Sequence, residues 1–415
     1  MSLLLFGVFA VLLLIGVPVA VAIGAGTMAA VWASGVPLLV MPQQMFAGIN
    51  SFALVAVPMF ILAGDIMAAG KISTRLVALA DALIGFLKGG LSVVSILAAM
   101  FFAAISGSGA ATTAAVSATL VPELKAKGYD PASAASLIAA GGTIGVVIPP
   151  SVPMILYAVI AQESVAKLFL NGFIPGVLMG VALIAIALVQ GHRRAYPSGS
   201  AFSFVTIWRT FRAAFWGLMT PVIILGGIFS GIFTPSEAAV VAVDYAILVS
   251  LFIHRDLGLK DIYRLCIRAG VTTAVIMFVI SASAALSWAL SNWQVPAQIA
   301  NGVLALSQEP AVILAMILVV VLVTGVFIET ASALIILTPI LLPLVTQLGV
   351  DAVHFGIILV VGLSIGMITP PVAINLYVAS SVTNIGLERI ATAVFPYLAA
   401  LVLVLGLVTY VPLFL

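Results

Sequence analysis

The sequence predicts an all-α polytopic membrane protein, and three observations carry that prediction. Hydrophobic residues make up 64% of the 415 residues and charged residues only 7%, against roughly a quarter charged in soluble domains, and mean hydropathy is +1.36. Apolar runs near the ~20 residues that a helix needs to cross a bilayer recur from end to end, which favours helices over the short alternating strands of a barrel. Two proline pairs interrupt apolar segments at matching places in the two halves, Gly145-Val-Val-Ile-Pro149-Pro150 and Gly366-Met-Ile-Thr-Pro370-Pro371. A proline inside a helix removes a backbone hydrogen bond at a cost of ~3 kcal/mol, and freed carbonyls survive at membrane depth only against protein or a wet cavity. Gly/Pro-interrupted hydrophobic segments in corresponding positions of two repeats point to the midplane site of a secondary transporter.

Several classes are excluded. A single Cys266 cannot make a disulfide framework, the three histidines form no HExxH pattern, and no Walker A motif is present. No nucleophile with a base and no paired-carboxylate spacing suggests an enzyme. Energy for transport must come from an ion gradient or a partner. The N-terminal apolar stretch lacks a basic leader region, so it reads as a retained helix.

The chain aligns with itself. Met59-Phe60 matches Met277-Phe278 and Ser106-Gly107 matches Thr324-Gly325, while Pro122, Pro149-Pro150 and Pro175 match Pro343, Pro370-Pro371 and Pro396 at a common offset. Three proline landmarks in one register indicate duplication. The expected organisation is a first repeat over 1–190, a basic linker over 191–213 and a second repeat over 214–415. Orientation follows from charge. Arg193, Arg194, Arg209 and Arg212 precede the apolar pair at about 214–254, and Arg255, Lys260, Arg264 and Arg268 follow it, so both loops are expected on the cytoplasmic side. Lys71, Arg75 and Lys88 have no basic counterpart at about 289–306, and Lys125 and Lys127 face Thr346 and Gln347 in the other copy. Equivalent loops on opposite sides make the repeats inverted. Residues 3–36 read either as one long tilted crossing or as two short helices broken at Gly16 to Pro18, and the mapping onto the pair at 221–254 favours two.

Each repeat contains an apolar segment that enters, meets a small polar knot and returns. In the first this re-entrant hairpin spans about 90–121 around Ser106-Gly-Ser108-Gly, followed by a broken helix at about 133–162. In the second it spans about 310–345 around Gly325 to Thr330, followed by a broken helix at about 353–383. Tip and break are expected to face each other at the midplane. Hydroxyls and unwound carbonyls without full counter-charge suit a hard monovalent cation, so two sodium sites are expected. The first uses Ser106, Ser108, Gly145, Ile148 and Pro150, and the second Gly325, Ile328, Gly366 and Thr369. Helix N-termini at the breaks would offer positive dipole ends to an anionic substrate, with Ser108, Glu329 and Asn375 as further substrate candidates.

Blander readings compete at each point. A Ser-Gly-Ser-Gly run is often only a close-packing surface, and a lone proline pair is usually a kink; duplication argues against both. Glu329 is the single acidic residue between 310 and 350, and an intramembrane carboxylate is functional by default, with a structural hydrogen-bonding role as the alternative. Asn375 either lines the cavity or caps the restarted half-helix. For Asp65 and Asp244 a structural role is favoured. Trp208, Trp216, Trp288 and Trp293 sit near helix ends, where an interfacial belt accounts for them.

Pro58-Met-Phe-Ile-Leu-Ala-Gly-Asp65, Ser106-Gly-Ser108, Gly141-Gly142 to Pro149-Pro150, Gly231-Ile-Phe-Thr-Pro235-Ser-Glu237-Ala, Ile336-Leu-Thr-Pro339 to Pro343, His354-Phe-Gly356 and Gly366 to Pro371 together resemble the large membrane subunit of tripartite ATP-independent periplasmic (TRAP) transporters over nearly the whole chain. The resemblance implies a multi-pass protein of a bacterial or archaeal inner membrane. It implies sodium-coupled uptake of organic acids with a periplasmic solute-binding protein and a small four-helix membrane subunit of the Q type. It also implies an elevator mechanism in which hairpins and broken helices move as a block. Some relatives carry an acidic residue where this chain has Thr112, which makes Thr112 a substrate candidate. Ser108-Gly109-Ala with Phe327-Ile-Glu329-Thr is more similar to C4-dicarboxylate-type members than to sialic-acid ones. The alternatives are a stand-alone proton- or sodium-coupled carboxylate carrier and, further off, a channel. No nucleic acid is expected among the partners.

Overall fold

Gly16, with φ of +85°, and Pro18 break the first apolar stretch into α1 (Ser2–Leu14) and α2 (Val19–Ala33). The chain folds back there, and Gly26 of α2 comes so close to the Leu5 carbonyl that a Cβ would sit 3.0 Å from it. This is the two-helix arrangement expected for residues 3–36. The computed structural model describes residues 1–194, 196–197 and 202–411; among these, twenty α-helices occur and no extended strand.

α3 (Val40–Ile49), a short 3-10 turn, α4 (Ala56–Ala69) and α5 (Ile72–Ile84) follow. Next come α6 (Gly90–Ser106) and α7 (Gly109–Ala126), separated by two residues, then α8 (Pro131–Thr143), α9 (Val152–Ala161) and the long α10 (Val165–Arg193). The second half opens with α11 (Phe204–Phe229), α12 (Pro235–Leu248), α13 (Leu259–Asn292) and α14 (Val295–Leu306). α15 (Pro310–Phe327), α16 (Thr330–Gln347), α17 (Ala352–Gly366), α18 (Ile374–Thr383), α19 (Leu387–Ala393) and α20 (Phe395–Tyr410) complete it. Side-chain caps set many starts: Asp130, Ser164 and Asp351 each accept a hydrogen bond from a backbone N–H in the first turn that follows, satisfying donors the helix itself leaves open. Thr234 and Glu237 form a reciprocal capping box at α12.

Two groups of helices pack together. α4 lies against α12, and α13 runs along α2, α3 and α4; the other group gathers α6 to α10 with α15 to α20. α16 packs on both α9 and α13, bridging the groups. Among the described residues, seven helical segments are long and apolar enough to cross a bilayer, and an eighth arises if α19 and α20, bent by 50°, count as one.

The structure departs from expectation at several boundaries. α7 continues through Pro122 to Ala126 instead of stopping near 121, because an interior proline can kink a helix without ending it. The second tip is only Ile328 and Glu329, since Gly325 lies in the last turn of α15. Most of the expected linker 191–213 is helical: α10 runs to Arg193, and Ser203 accepts from the Thr206 amide to start α11, so Trp208, Arg209 and Arg212 ride on its first turns. A cap fixes where a helix begins, whereas an apolar boundary does not. Residues 195 and 198–201 of that linker, and 412–415 of the second repeat, lie outside the described residues.

Candidate functional site: two hairpin tips against two helix breaks

α8 tightens into a 3-10 turn at Ile144–Val146, and the helix resumes only when Ser151 caps α9 by accepting from the Met154 amide. The Ser151 hydroxyl donates to the Val146 carbonyl, holding the break closed on itself. The Pro149-Pro150 bond is cis, as is Pro370-Pro371. The tip of the first hairpin presses into this break. Gly107 adopts φ of +59°, and a Cβ on it would lie 2.6 Å from the Pro150 carbonyl oxygen. A Cβ on Gly145 would lie 2.6 Å from the Ser108 carbonyl oxygen and 2.7 Å from Thr112 Oγ1. Only glycine permits both approaches. Ser106 Oγ and Thr112 Oγ1 are 2.9 Å apart, and Thr112 donates to the Ser108 carbonyl at 2.8 Å. Thr112 has thus used its proton, so Ser106 donates to it and both hydroxyl oxygens keep acceptor capacity. Ser106, Ser108, Gly145 and Pro150 are therefore brought together, with Thr112 inside the same cluster rather than beside it, whereas Ile148, in the same break, packs against Gly176 of α10. Every residue from Gly141 to Ser151 is buried.

The second break is more open. α17 ends at Gly366 and α18 begins at Ile374, with Pro371 and Val372 exposed between them. A Cβ on Gly366 would overlap the Gly325 carbonyl oxygen, so Gly325 and Gly366 meet as expected. Thr369 Oγ1 donates to the Ile365 carbonyl at 2.9 Å and retains its lone pairs. Ile328 ends α15, next to Glu329. Glu329 is the N-cap of α16, its Oε2 accepting from the amides of Ala331 at 3.0 Å and Ser332 at 3.2 Å. The carboxylate thus completes the helix start and neutralises its positive end, which is the structural alternative weighed for it, while its side remains exposed on the surface.

Between tips and breaks sit the sequence candidate Asn375 and the buried hydroxyls of Thr113, Ser117 and Thr330, which the sequence did not single out. Asn375 is fully buried at the start of α18, its Nδ2 donating 3.2 Å to the Ala139 carbonyl of α8. It ties one broken helix to the other and neither caps α18 nor lines an open cavity here. Its Oδ1 has no partner among the described residues, and neither do the buried hydroxyls of Thr113, Ser117 and Thr330. A Cβ on Gly109 would meet the Met367 side chain at 2.9 Å, so the second break also touches the first tip. Thr113 and Ser117, four residues apart in an apolar helix, were a legible polar stripe.

A cavity of about 760 Å³ opens away from the tips, where α3 and α13 face α9 and α16. Gln44, Ser51, Gln162, Glu163, Ser283, Ser287 and Ser291 are among its lining residues, and none of the expected site residues is. Trp288 lines it too, so an interfacial belt does not fully account for that residue. Trp208, in contrast, is 63% exposed. Asp65 lies 4.0 Å from Arg268, a structural pairing between α4 and α13, whereas Asp244 is exposed on α12.

Helices of membrane-spanning length, one helix break buried against protein and a second, more open one, and clustered neutral oxygens define a polytopic transport permease. Residues 6–414 match the family model described as the tripartite ATP-independent periplasmic transporter, DctM component, and the chain belongs to that family, a family of permeases rather than enzymes in the bacterial inner membrane. It is 43% identical to the isethionate TRAP transporter permease protein DctMQ of Oleidesulfovibrio alaskensis over 98% of this chain and 65% of that protein, so it spans under two thirds of that relative's length. It is 39% identical to the C4-dicarboxylate TRAP transporter large permease protein DctM of Pseudomonas aeruginosa, over 89% of this chain and 86% of that one. Identity to the 2,3-diketo-L-gulonate TRAP transporter large permease protein YiaN of Escherichia coli is 38%, over 96% and 94%. The YdaH transporter of Alcanivorax borkumensis has a similar fold, with a TM-score of 0.66 at 16% identity over 88% of this chain and 86% of that one.

Proposed function

We propose that this chain is the translocating subunit of a tripartite transporter that takes up a small organic acid anion with sodium. The observation behind it is the paired contact of tip and break, where glycine at 107, 145 and 366 lets backbone oxygens and hydroxyls crowd together without a charged counterpart. Such a set fits a monovalent cation better than a divalent one, which would demand carboxylates. Sodium enters here as cargo: Ser106, Ser108, Gly145, Ile148 and Pro150 hold one ion, and Gly325, Ile328, Gly366 and Thr369 another. α6–α7 and α15–α16 are re-entrant hairpins of two inverted repeats. α15 and α16 are each long enough to cross, but a tip packed on a helix break belongs at mid-depth. The substrate anion binds between the tips at the helix starts, with Ser108, Thr112 and Glu329 near it. Asn375 holds the two breaks together.

The relatives' names cover an isethionate, a C4-dicarboxylate and a diketogulonate system, which supports a small carboxylate or a similar anion, C4-dicarboxylates being the favoured class. The DctMQ name of one longer relative supports a separate Q-type subunit as partner here, together with a periplasmic solute-binding protein. The group of α6 to α10 and α15 to α20 moves as an elevator against α11 to α13, and the cavity on α13 is the gap across which it moves.

Reconstitution into liposomes with the small subunit and binding protein tests the reading. Uptake is expected to collapse when sodium is replaced by choline, and unchanged uptake overturns the coupling. Ser106→Ala and Thr369→Val should each raise the half-saturating sodium concentration by about tenfold, the order of one lost hydrogen-bond-strength contact; wild-type sodium dependence in both refutes the ion sites. Glu329, the single acidic residue between 310 and 350, carries a second reading, proton coupling, and uptake with unaltered pH dependence in Glu329→Gln removes it.

A further inference from the structure

Lys88, Leu188, Val189, His192 and Arg193 line a groove of about 440 Å³ at the end of α10. It lies on the face that bears the basic loops, which is cytoplasmic by the positive-inside rule. The groove is built by a close backbone contact. Gly89, with φ of +69°, and Gly191 meet so that a Cβ on Gly89 would lie 3.1 Å from the Gly191 Cα and one on Gly191 3.2 Å from the Gly89 Cα. That contact presses the turn carrying Lys88 against the last turn of α10, which carries His192 and Arg193. Three basic groups then share one concavity, and among the described residues none of them is held in an ion pair.

The wall below the basic groups is apolar and continuous. Leu170, Ile174, Val177, Val181 and Leu188 are all exposed, and at 100° per residue they fall on one stripe of α10. The stripe descends from the groove into the depth of the bilayer, at 1.5 Å per residue roughly 27 Å from Leu170 to Leu188. A soluble anion would use only the basic rim. A molecule with a phosphate head and an acyl tail matches both parts, and basic pockets beside spanning helices on the cytoplasmic side are the recurrent pattern for anionic lipid heads.

We infer that the Lys88, His192 and Arg193 groove is a binding site for the phosphodiester head of an anionic phospholipid, whose acyl chain lies on the outer stripe of α10. The site is separate from the tips and breaks, and its binding is measured without transport. The experiment uses the full chain, purified with its bound lipid from phosphatidylcholine nanodiscs containing phosphatidylglycerol, and quantifies retained phosphatidylglycerol by native mass spectrometry. Each basic residue near an anionic surface contributes roughly fivefold. Lys88→Gln with Arg193→Gln is expected to lower retention on the order of twenty-fivefold, whereas Lys125→Gln with Lys260→Gln, with the same change in charge outside the groove, changes it less than about threefold. Inorganic phosphate and glycerol phosphate should not displace the lipid. Equal retention in the groove variant, an equal loss in the control variant, or displacement by inorganic phosphate would each overturn the assignment. Thermal unfolding in phosphatidylcholine alone, expected to be unchanged, separates lost binding from lost fold.

Discussion

Gly107 and Gly366 show how much of the site depends on atoms that are missing. At Gly107 an added methyl meets both a left-handed backbone and the Pro150 carbonyl oxygen, and a left-handed non-glycine residue alone costs roughly 1–2 kcal/mol. At Gly366 the methyl would overlap the Gly325 carbonyl, and only a shift of one hairpin against α17 relieves it. Gly107→Ala and Gly366→Ala are therefore expected to lower thermal stability and to reduce sodium-driven uptake by more than tenfold, the loss that about 1.4 kcal/mol produces. Gly226→Ala, where a methyl meets open space, should leave both unchanged. Uptake at wild-type level in the first two, measured in the liposome assay, would mean that tip and break need not touch.

Asp256 illustrates the scale of elements. It accepts from the Lys71 amide at 2.9 Å and from Arg75 at 3.4 Å, joining the turn before α5 to the loop between α12 and α13. His254 lies beside this pair, just past the helical stretch that ends at Ile253. Burial holds its imidazole below the ordinary value; the Arg75 charge adds to that and Asp256 opposes it. The folded protein thus keeps His254 neutral while the unfolded chain takes up a proton as pH falls below about 6.5. Stability from this source is complete above that pH and declines as pH falls toward the lower folded-state value. His254→Gln should show a smaller drop in melting temperature than the wild type between about pH 7.5 and 5.5, and an identical drop would assign the effect elsewhere. The helix elements themselves were legible in sequence: both breaks fall where the proline pairs placed them, and the tips where the polar knots did. Ends were not legible at 121 and 214, because the interior Pro122 and the Ser203 cap decide them and an apolar boundary does not.

At the scale of the whole molecule, two helix groups face each other across a cavity rimmed by Ser283, Ser287 and Ser291. If one group slides on the other, a bulky side chain in that gap must obstruct it. Ser287→Trp is expected to cut the maximal uptake rate at least tenfold while sodium-dependent thermal stabilisation persists, since the ion sites lie elsewhere; undiminished rate would argue that the gap is not traversed. The amino-acid sequence by itself determined the membrane class, the doubled discontinuity and the residue types at the tips. Those features follow from composition and from what proline and glycine do locally to a helix. The tertiary structure alone decided that Asn375 crosses to Ala139, that Thr112 shares its cluster with Ser106, and that Gly89 meets Gly191 beneath Lys88. These contacts join residues whose nearness is set by helix packing, which no local pattern encodes.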